Sequence, residues 1–415
     1  MATLRPRILY SFAFIMNSAT GVLVVGLPLL GIRFGASALH LGLLGSAGAF
    51  VYALSCPFGG RLSDRSGRWR SGRRGSLIAS CSLLVLVDCF IFFVSGLRDV
   101  FVIAVCGSFC TAFFWPPLQA WLAEIGGKER LAERLGFFNL SWSLGIMVGP
   151  MIGGFLFAAD YRLPWCYSIA TNSFLVLLLV LSRGAESAGR GGAAAQTAGG
   201  AESRVPAGAA EFLPLGLWAN FVSWFCLANV QSLYPKLASS RGFSPQLIGC
   251  LLFMVGAAQS LFFLVLRSTR AWHFRYGPLV AVHAVAAGGM LVIFGASAVP
   301  PLAVAFALVG LGLGLSYYSS IFYSLCGDGG AGRKSGIHEL MVGSAFFLGP
   351  LAGGLCAQYL GLRAPFILCA ALLAGTAAWE AARWRGSHRR SAPPGGPRRQ
   401  PGGLTLSCPR EGTAP

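Results

Sequence analysis

Twelve stretches of about 20 mostly apolar residues follow one another along the chain, each long enough to cross a bilayer as a helix. Inside a membrane, only helices and closed barrels satisfy every backbone hydrogen bond. Charged residues make up 11% of the chain, against about 25% in soluble domains. The sequence therefore predicts an all-α polytopic membrane protein. The stretches cover residues 8–30, 39–59, 75–96, 100–122, 137–158, 163–182, 213–235, 245–267, 276–298, 300–325, 336–358 and 362–382.

Basic residues are distributed unevenly between the connections. If both termini are cytoplasmic, 26 of the 32 lysines and arginines lie on the cytoplasmic side, as the positive-inside rule favours. The net charge of +18 then faces anionic lipid headgroups and does not indicate a nucleic-acid partner. The sequence predicts a plasma-membrane or bacterial inner-membrane protein with both termini in the cytoplasm. The six basic residues on the other side are Arg33, Arg98, Arg162, Lys236, Arg241 and Arg363.

A short basic turn separates the second and third stretches. It reads G-R-L-S-D-R-S-G-R-W-R from Gly60 to Arg70. A turn this short forces the flanking helices to lie side by side, and its arginines place it in the cytoplasm. The pattern resembles the signature loop of the major facilitator superfamily. The matching positions are Gly60, Leu62, Asp64, Arg65, Gly67, Arg68 and Arg70.

Two glycine- and proline-rich segments repeat six stretches apart. The fifth stretch contains G-I-M-V-G-P-M-I-G-G and the eleventh contains S-A-F-F-L-G-P-L-A-G-G, so both include G-P-x-x-G-G. Glycines four apart on one helix face allow a partner helix to approach closely, and the proline bends the helix. Parallel repeats of this kind are typical of the two halves of a major facilitator. The residues concerned are Gly145, Gly149, Pro150 and Gly153 in the fifth stretch and Gly349 and Pro350 in the eleventh.

The repeat predicts two pseudo-symmetric six-helix bundles, formed by residues 1–182 and 213–382. Residues 183–212 between them are rich in Gly, Ala and Ser, a composition typical of a flexible linker, here on the cytoplasmic side. Residues 383–415 are rich in Pro, Gly and Arg, which predicts a disordered cytoplasmic tail.

The resemblance covers about residues 8–382 and implies a secondary transporter with one central site that works by alternating access. The pattern G-x-x-x-G-P-x-x-G-G in the fifth stretch matches the one associated with the drug/proton antiporter branch, so proton-coupled efflux is the first expectation. Loop residues Asp64, Arg65 and Arg68 would then latch the second and eleventh helices together. Proton antiporters of the family commonly carry an arginine in the fourth helix, and residues 100–122 contain none. A facilitator without proton coupling stays open as an alternative.

The resemblance also implies that the first, fourth, seventh and tenth helices line the central cavity. These stretches carry polar and aromatic side chains at helical spacing, a pattern that hydrogen bonding between helices also produces. The candidates have no fixed charge, which predicts a neutral or amphipathic small-molecule solute. They are Asn17, Trp115, Gln119, Asn220, Trp224, Gln231, Tyr317 and Tyr323.

Consecutive prolines at positions 116 and 117 mark the fourth stretch. Proline has no backbone N–H, so the carbonyls of Ala112 and Phe113 lose their usual intrahelical donors. We expect a kink there, with those two oxygens facing another partner or water.

Ionisable residues within the stretches are scarce, which makes them candidates for proton coupling. Asp88 lies in the third stretch, where a charged carboxylate costs at least ~2.5 to 3.5 kcal/mol and must be paired, hydrated or protonated. His283 lies in the ninth, and imidazole changes charge close to neutral pH. The alternative for both is a structural hydrogen bond. Glu124 and Glu339, near helix ends, are interpreted as gate or capping residues.

Other functions remain as alternatives. One is uptake or facilitated diffusion of a neutral polar solute such as a sugar or nucleoside, and another is a non-transporting membrane sensor or assembly partner. The sequence offers no nucleophile with a base and no metal-ligand spacing, so we expect neither an enzyme nor a cofactor. The expected partners are a small-molecule solute and membrane lipids, with protons as the candidate coupling ion, and the expected assembly is a monomer.

Overall fold

The computed structural model describes residues 6–65, 72–124, 131–182, 211–325 and 331–390. Within these ranges the chain forms α-helices joined by short turns, together with a 3₁₀ turn at Phe90–Phe93. The helices are α1 (Pro6–Arg33), α2 (Ala38–Arg65), α3 (Gly72–Cys89), α4 (Leu97–Thr111), α5 (Trp115–Glu124), α6 (Leu131–Ala159), α7 (Leu163–Leu181), α8 (Phe212–Ser240), α9 (Pro245–Ser268), α10 (Tyr276–Gly295), α11 (Val299–Leu325), α12 (Ala331–Leu360) and α13 (Ala364–Arg390).

The twelve predicted spans are confirmed. In the described part of the chain, twelve helical segments are long and apolar enough to cross a membrane. Helices α4 and α5 together form the fourth of these segments. We call the end of the molecule where α1 begins and α2 ends the proximal end, and the opposite end the distal end. The spans alternate in direction, so α13 finishes at the proximal end, where α1 starts.

The double proline predicted to kink the fourth span interrupts it. Helix α4 stops at Thr111, and α5 starts at Trp115. The Phe113 carbonyl accepts a hydrogen bond from Ser76 Oγ at 3.2 Å, which replaces the donor that proline cannot supply. The Ala112 carbonyl instead faces Gly59 of α2, which has no side chain to displace it.

The helices divide into two six-span bundles, as predicted, with α1–α7 in the first and α8–α13 in the second. At the proximal end each bundle has its own apolar core: one contains Phe12 and Leu118, and the other contains Phe212 and Tyr276. At the distal end the cores are shared, because Val25 of α1 packs into the core of the second bundle. The bundles are therefore joined distally and have separate cores proximally.

Glycines bring α6 against α1. A Cβ atom added to Gly149 would lie 2.5 Å from the Cα of Gly21, and one added to Gly145 would lie 2.6 Å from the Phe14 carbonyl oxygen. A methyl group does not fit at these distances. Glycines spaced four residues apart on α6 therefore allow its backbone to contact that of α1. Gly153 continues the same face and meets the backbone of Val22.

The repeated motif makes equivalent contacts in both halves. Gly149 of α6 meets α1, and Gly349 of α12 meets α8, where an added Cβ would lie 2.7 Å from the Phe225 carbonyl oxygen. The carbonyl of Pro150 meets Gly249 of α9, and that of Pro350 meets Gly42 of α2. Each proline thus connects its own bundle to the opposite one at the distal end.

The last helix is longer than predicted. The tail was expected to begin at residue 383, but α13 continues to Arg390. Residues 383–390 read R-W-R-G-S-H-R-R, and the four arginines among them favour continuation of the helix past the apolar stretch. Residues 391–415 of the predicted tail and residues 183–210 of the predicted linker lie outside the described residues.

Candidate functional site

Four aromatic side chains meet near the middle of the molecule, and we call them the central aromatic cluster: Trp142 of α6, Trp224 of α8, Tyr317 of α11 and Phe346 of α12. The Trp142 ring centroid lies 6.4 Å from Trp224 and 6.3 Å from Tyr317, to which it is nearly parallel. Trp224 lies 6.0 Å from Tyr317 and 5.2 Å from Phe346. Because Trp142 belongs to the first bundle and the others to the second, the cluster spans the bundle interface.

Two predicted residues take part in this cluster, and a third supports it. Trp224 and Tyr317 are members, while Asn17 of α1 donates from Nδ2 to the Trp142 carbonyl at 2.9 Å. That bond fixes the turn of α6 that carries the indole. Trp142 itself was not predicted, because the fifth stretch was considered only for its glycines. The available signal was a tryptophan in the middle of an apolar span, three residues before Gly145.

Unpaired polar atoms lie beside these rings. Among the described residues, Trp224 Nε1, Asn220 Oδ1 and His338 Nε2 are buried without a hydrogen-bond partner. The other ring nitrogen of His338 lies 2.9 Å from Ser320 Oγ, and its ring lies 5.1 Å from that of Tyr317. An unmade buried hydrogen bond costs roughly 1 to 3 kcal/mol. A bound molecule that supplies the missing partners would recover part of that cost.

Glu339 adds a carboxylate to the same region. It was interpreted as a residue near the start of its helix, but α12 begins at Ala331, so Glu339 lies two turns inside. Its side chain is exposed, yet it interacts electrostatically with Tyr52 of α2 and Tyr317 of α11. These partners belong to different bundles. The carboxylate therefore lies where the two bundles approach each other, two turns proximal to Phe346 on α12.

Several predicted cavity residues lie elsewhere. Trp115 belongs to the apolar core of the first bundle, where it packs edge-on against Phe138. Tyr323 is buried in the proximal core of the second bundle. Gln119 is exposed, and Gln231 is half-buried about two turns distal to Trp224. The prediction relied on which helices line the cavity, and helical spacing alone does not identify the inward face of each helix.

Asp88 is fully buried between α3 and α7. Ser168 Oγ donates to its Oδ2 at 2.6 Å, and Asn172 Nδ2 lies 3.2 Å from the same serine oxygen. The carboxylate thus accepts a hydrogen bond from a hydroxyl group on a neighbouring helix. This contact fits the alternative that Asp88 has a structural role. Its contacts lie inside the first bundle, away from the central aromatic cluster.

His283 has a carboxylate partner in the second bundle. Its Nδ1 lies 2.9 Å from Glu380 Oε2, and both side chains are completely buried. Its Nε2 lies 3.0 Å from Ser316 Oγ, to which Ser223 Oγ donates at 2.9 Å. Glu380 was not singled out in the sequence, although an acid inside the twelfth stretch was the same signal that identified Asp88.

The signature loop is described only in part. Helix α2 includes Gly60, Asp64 and Arg65 and ends at the last of these, while Gly67 and Arg68 lie outside the described residues. The latch assigned to this loop stays a prediction.

Comparisons with known proteins agree with this architecture. The model of the Major Facilitator Superfamily matches residues 9–333. The quinolone resistance protein NorA of Staphylococcus aureus is 26% identical over 176 residues, which are 42% of this chain and 44% of NorA. Multidrug resistance protein 2 of Bacillus subtilis is 28% identical over 166 residues, or 39% of this chain and 40% of that protein. The matched segment is thus less than half the length of these curated relatives.

Solved structures show the same fold at low sequence identity. A bacterial homologue of the human lysosomal transporter Spinster, in an inward-facing and occupied conformation, superposes with a TM-score of 0.66 at 16% identity, covering 94% of this chain and 97% of that one. A POT family transporter in complex with 5-aminolevulinic acid gives 0.69 at 11% identity, covering 93% and 96%.

Proposed function

The chain belongs to the Major Facilitator Superfamily, and we propose that it exports amphipathic solutes, with a preference for planar cations, through the central aromatic cluster. It is an integral membrane transporter and not an enzyme. The identity of the solute, the direction of transport and the source of energy are the parts that we propose.

The aromatic cluster at the bundle interface carries this proposal. Two rings of the second bundle, Trp224 and Tyr317, meet Trp142 of the first, and Phe346 packs against Trp224, so a flat solute inserted among them would contact both bundles. Aromatic pairs contribute roughly 0.5 to 1.5 kcal/mol beyond area burial, and a desolvated cation over a ring about 2 kcal/mol. Glu339 supplies the negative charge that the sequence-based candidates lacked. A cationic amphiphile therefore fits better than a purely neutral solute.

The direction of transport is supported by the relatives. Two proteins named for drug resistance share the matched segment, and α6 carries the glycine pattern associated with the antiporter branch. We place the proximal end in the cytoplasm because most basic residues cluster there. The shared distal core and separate proximal cores then correspond to a state open to the cytoplasm, ready to accept a solute for export.

Proton coupling belongs to the same proposal. Export against a gradient needs an energy source, and the buried ionisable groups Asp88 and His283 are the sequence-derived candidates. The structure favours His283 because its hydrogen bonds extend to α11, which also carries Tyr317. Asp88 is bonded to a hydroxyl group within the first bundle, and we propose a structural role for it.

Transport of ethidium, a planar aromatic cation, tests the proposal. Purified protein in liposomes with an imposed pH gradient should move ethidium, and Trp224→Ala should weaken its apparent affinity roughly 3- to 10-fold through the lost ring contacts. Trp218→Ala is the matched control, since this indole lies six residues earlier on α8 but is 43% exposed and bonds to Thr376. It should behave as wild type.

Other results would favour the alternatives. Movement of a sugar or nucleoside instead of ethidium, independent of the pH gradient, would indicate a facilitator for neutral polar solutes. No movement of any solute by well-folded protein would favour the sensor or assembly role. Equal losses in Trp224→Ala and Trp218→Ala would place the binding site outside the aromatic cluster.

A further inference from the structure

A buried hydrogen-bonded chain crosses the second bundle from α13 to α8. It runs from Glu380 Oε2 to His283 Nδ1 (2.9 Å), from His283 Nε2 to Ser316 Oγ (3.0 Å) and from there to Ser223 Oγ (2.9 Å). All four side chains are at most 4% exposed. Four helices thus contribute one side chain each to a single polar path through apolar surroundings.

The serine at the centre determines which nitrogen of the histidine carries a proton. Ser316 has one hydroxyl proton, which it donates to the Gly312 carbonyl at 2.7 Å. Its oxygen must therefore accept from His283, so Nε2 is protonated. The other nitrogen, Nδ1, then faces Glu380, and one further proton lies between these two atoms, on either the nitrogen or the oxygen.

Burial requires that this further proton be retained in the packed state. With it, the pair is either imidazolium with carboxylate or imidazole with carboxylic acid, and its net charge is zero. Without it, a carboxylate oxygen faces a bare nitrogen lone pair 2.9 Å away, and an unbalanced charge is buried. Among the described residues, the other carboxylate oxygen, Oε1, has no hydrogen-bond partner to offset that charge.

Among the described residues, the helices packed against the pair present no side chain that compensates its charge. Helix α8 presents Ser223, and α11 presents Ser316. Helix α12 carries His338, which is bonded to Ser320, and Glu339, which lies within electrostatic reach of Tyr317. Arg383, one turn proximal on α13, is exposed and lies over the Trp379 ring. Loss of the proton therefore disfavours the contact between α10 and α13.

We propose that Glu380 and His283 form a proton-binding site that is coupled to the central aromatic cluster through Ser316 and Ser223. This rests on the proposed function, since Ser223 precedes Trp224 and Ser316 precedes Tyr317 in the chain. A solute that displaces those rings moves the two serines that hold His283 in place. Protonated and deprotonated pairs then correspond to two packings of α10 against α13, the kind of two-state element that coupling needs.

Infrared spectroscopy tests the proton site without any solute. In purified wild-type protein, a rise in pH should remove either the C=O stretch of protonated Glu380 or the ring modes of imidazolium at His283, whichever of the two carries the shared proton. That component should be absent from Glu380→Gln and retained by Asp160→Asn, whose carboxylate is exposed in a turn. A component unchanged in Glu380→Gln would overturn the assignment. If Glu380→Gln does not fold, Ser316→Ala decides, because loss of the acceptor for Nε2–H should shift the titration of the component.

Ethidium binding at several pH values tests the coupling. One proton exchanged per ethidium changes the apparent affinity up to about tenfold per pH unit. We expect this dependence in wild type and Asp160→Asn, and its loss in Glu380→Gln and Ser316→Ala. A dependence preserved in both variants would overturn the coupling. Failure of wild type to bind ethidium would instead count against the proposed function, and the infrared result would still decide on the proton site.

Discussion

At the scale of single residues, the proposed preference for planar cations depends on Glu339. Its carboxylate lies within electrostatic reach of tyrosines on both bundles. The attraction between this carboxylate and a cation strengthens when the bound ligand excludes water from between them. Aromatic rings and one acid would together favour flat cations without a rigid, shape-specific pocket.

We predict that Glu339→Gln lowers the apparent affinity for ethidium roughly tenfold, a loss of about 1.4 kcal/mol, because the amide keeps the shape but not the charge. A neutral aromatic solute of similar size should be affected by less than about twofold. Asp160→Asn, which alters an exposed acid in a distal turn, should change neither value. Titration of tryptophan fluorescence with each solute measures all three. Equal losses for cationic and neutral solutes would show that Glu339 acts through the fold and not through its charge.

At the scale of helices, the contact between α1 and α6 depends on the absence of side chains. Gly145, Gly149 and Gly153 meet backbone atoms of α1 at distances that a Cβ atom does not tolerate. In a membrane the hydrophobic effect does not drive helices together, so backbone contact and van der Waals packing provide the attraction. The position of Trp142 follows from this contact, because it lies on the same helix two turns before Gly149.

We predict that Gly149→Ala destabilises the protein by about 1 to 3 kcal/mol, because the added methyl group meets backbone atoms of Gly21 and forces the helices apart. Gly136→Ala on the same helix is the control, since a Cβ there meets nothing within 4 Å. Thermal unfolding in detergent should show a lower midpoint for the first variant only. Equal midpoints would mean that α1 and α6 are able to separate without cost.

The sequence predicted the helices better than their ends or their inward faces. Apolar length identifies a span, and the double proline identified the interruption before Trp115. Helix ends depend instead on residues outside the apolar core, so α13 extends past residue 382 and Glu339 lies inside α12. The role proposed for Glu380 depends on its contact with His283, which lies 97 positions earlier in the chain. Such pairings arise only when the bundle folds.

At the scale of the whole molecule, the distal end is closed by two related contacts. Gly42 of α2 meets Gly354 of α12, where an added Cβ would lie 2.7 Å from the opposite Cα. Gly249 of α9 meets Gly154 of α6 with a corresponding distance of 3.1 Å. Alternating access requires both contacts to separate while the proximal ends close.

We predict that cross-linking Leu39→Cys to Gln358→Cys with a short bifunctional thiol reagent stops transport. The Leu39 backbone N–H donates to Gln358 Oε1 at 3.5 Å, so the cross-link holds the distal end in the state seen here. Ethidium should still bind, because the aromatic cluster remains accessible from the proximal side. Each single substitution, Leu39→Cys or Gln358→Cys alone, treated in the same way is the control for reaction at the native cysteines, and a reagent that is cleaved by reduction should allow recovery. Undiminished transport by the cross-linked protein would rule out opening at this end.

The matched contacts of the two proline motifs bear on how tightly a solute must bind. Both contacts are formed in the state seen here and both must break in the opposite state, so each copy of the motif adds to the free energy needed to open the distal end. A ligand changes that balance only through the difference between its affinities for the two states, and a 100-fold difference corresponds to about 2.7 kcal/mol. A molecule that binds both states equally would therefore leave the distal end closed, however tightly it binds.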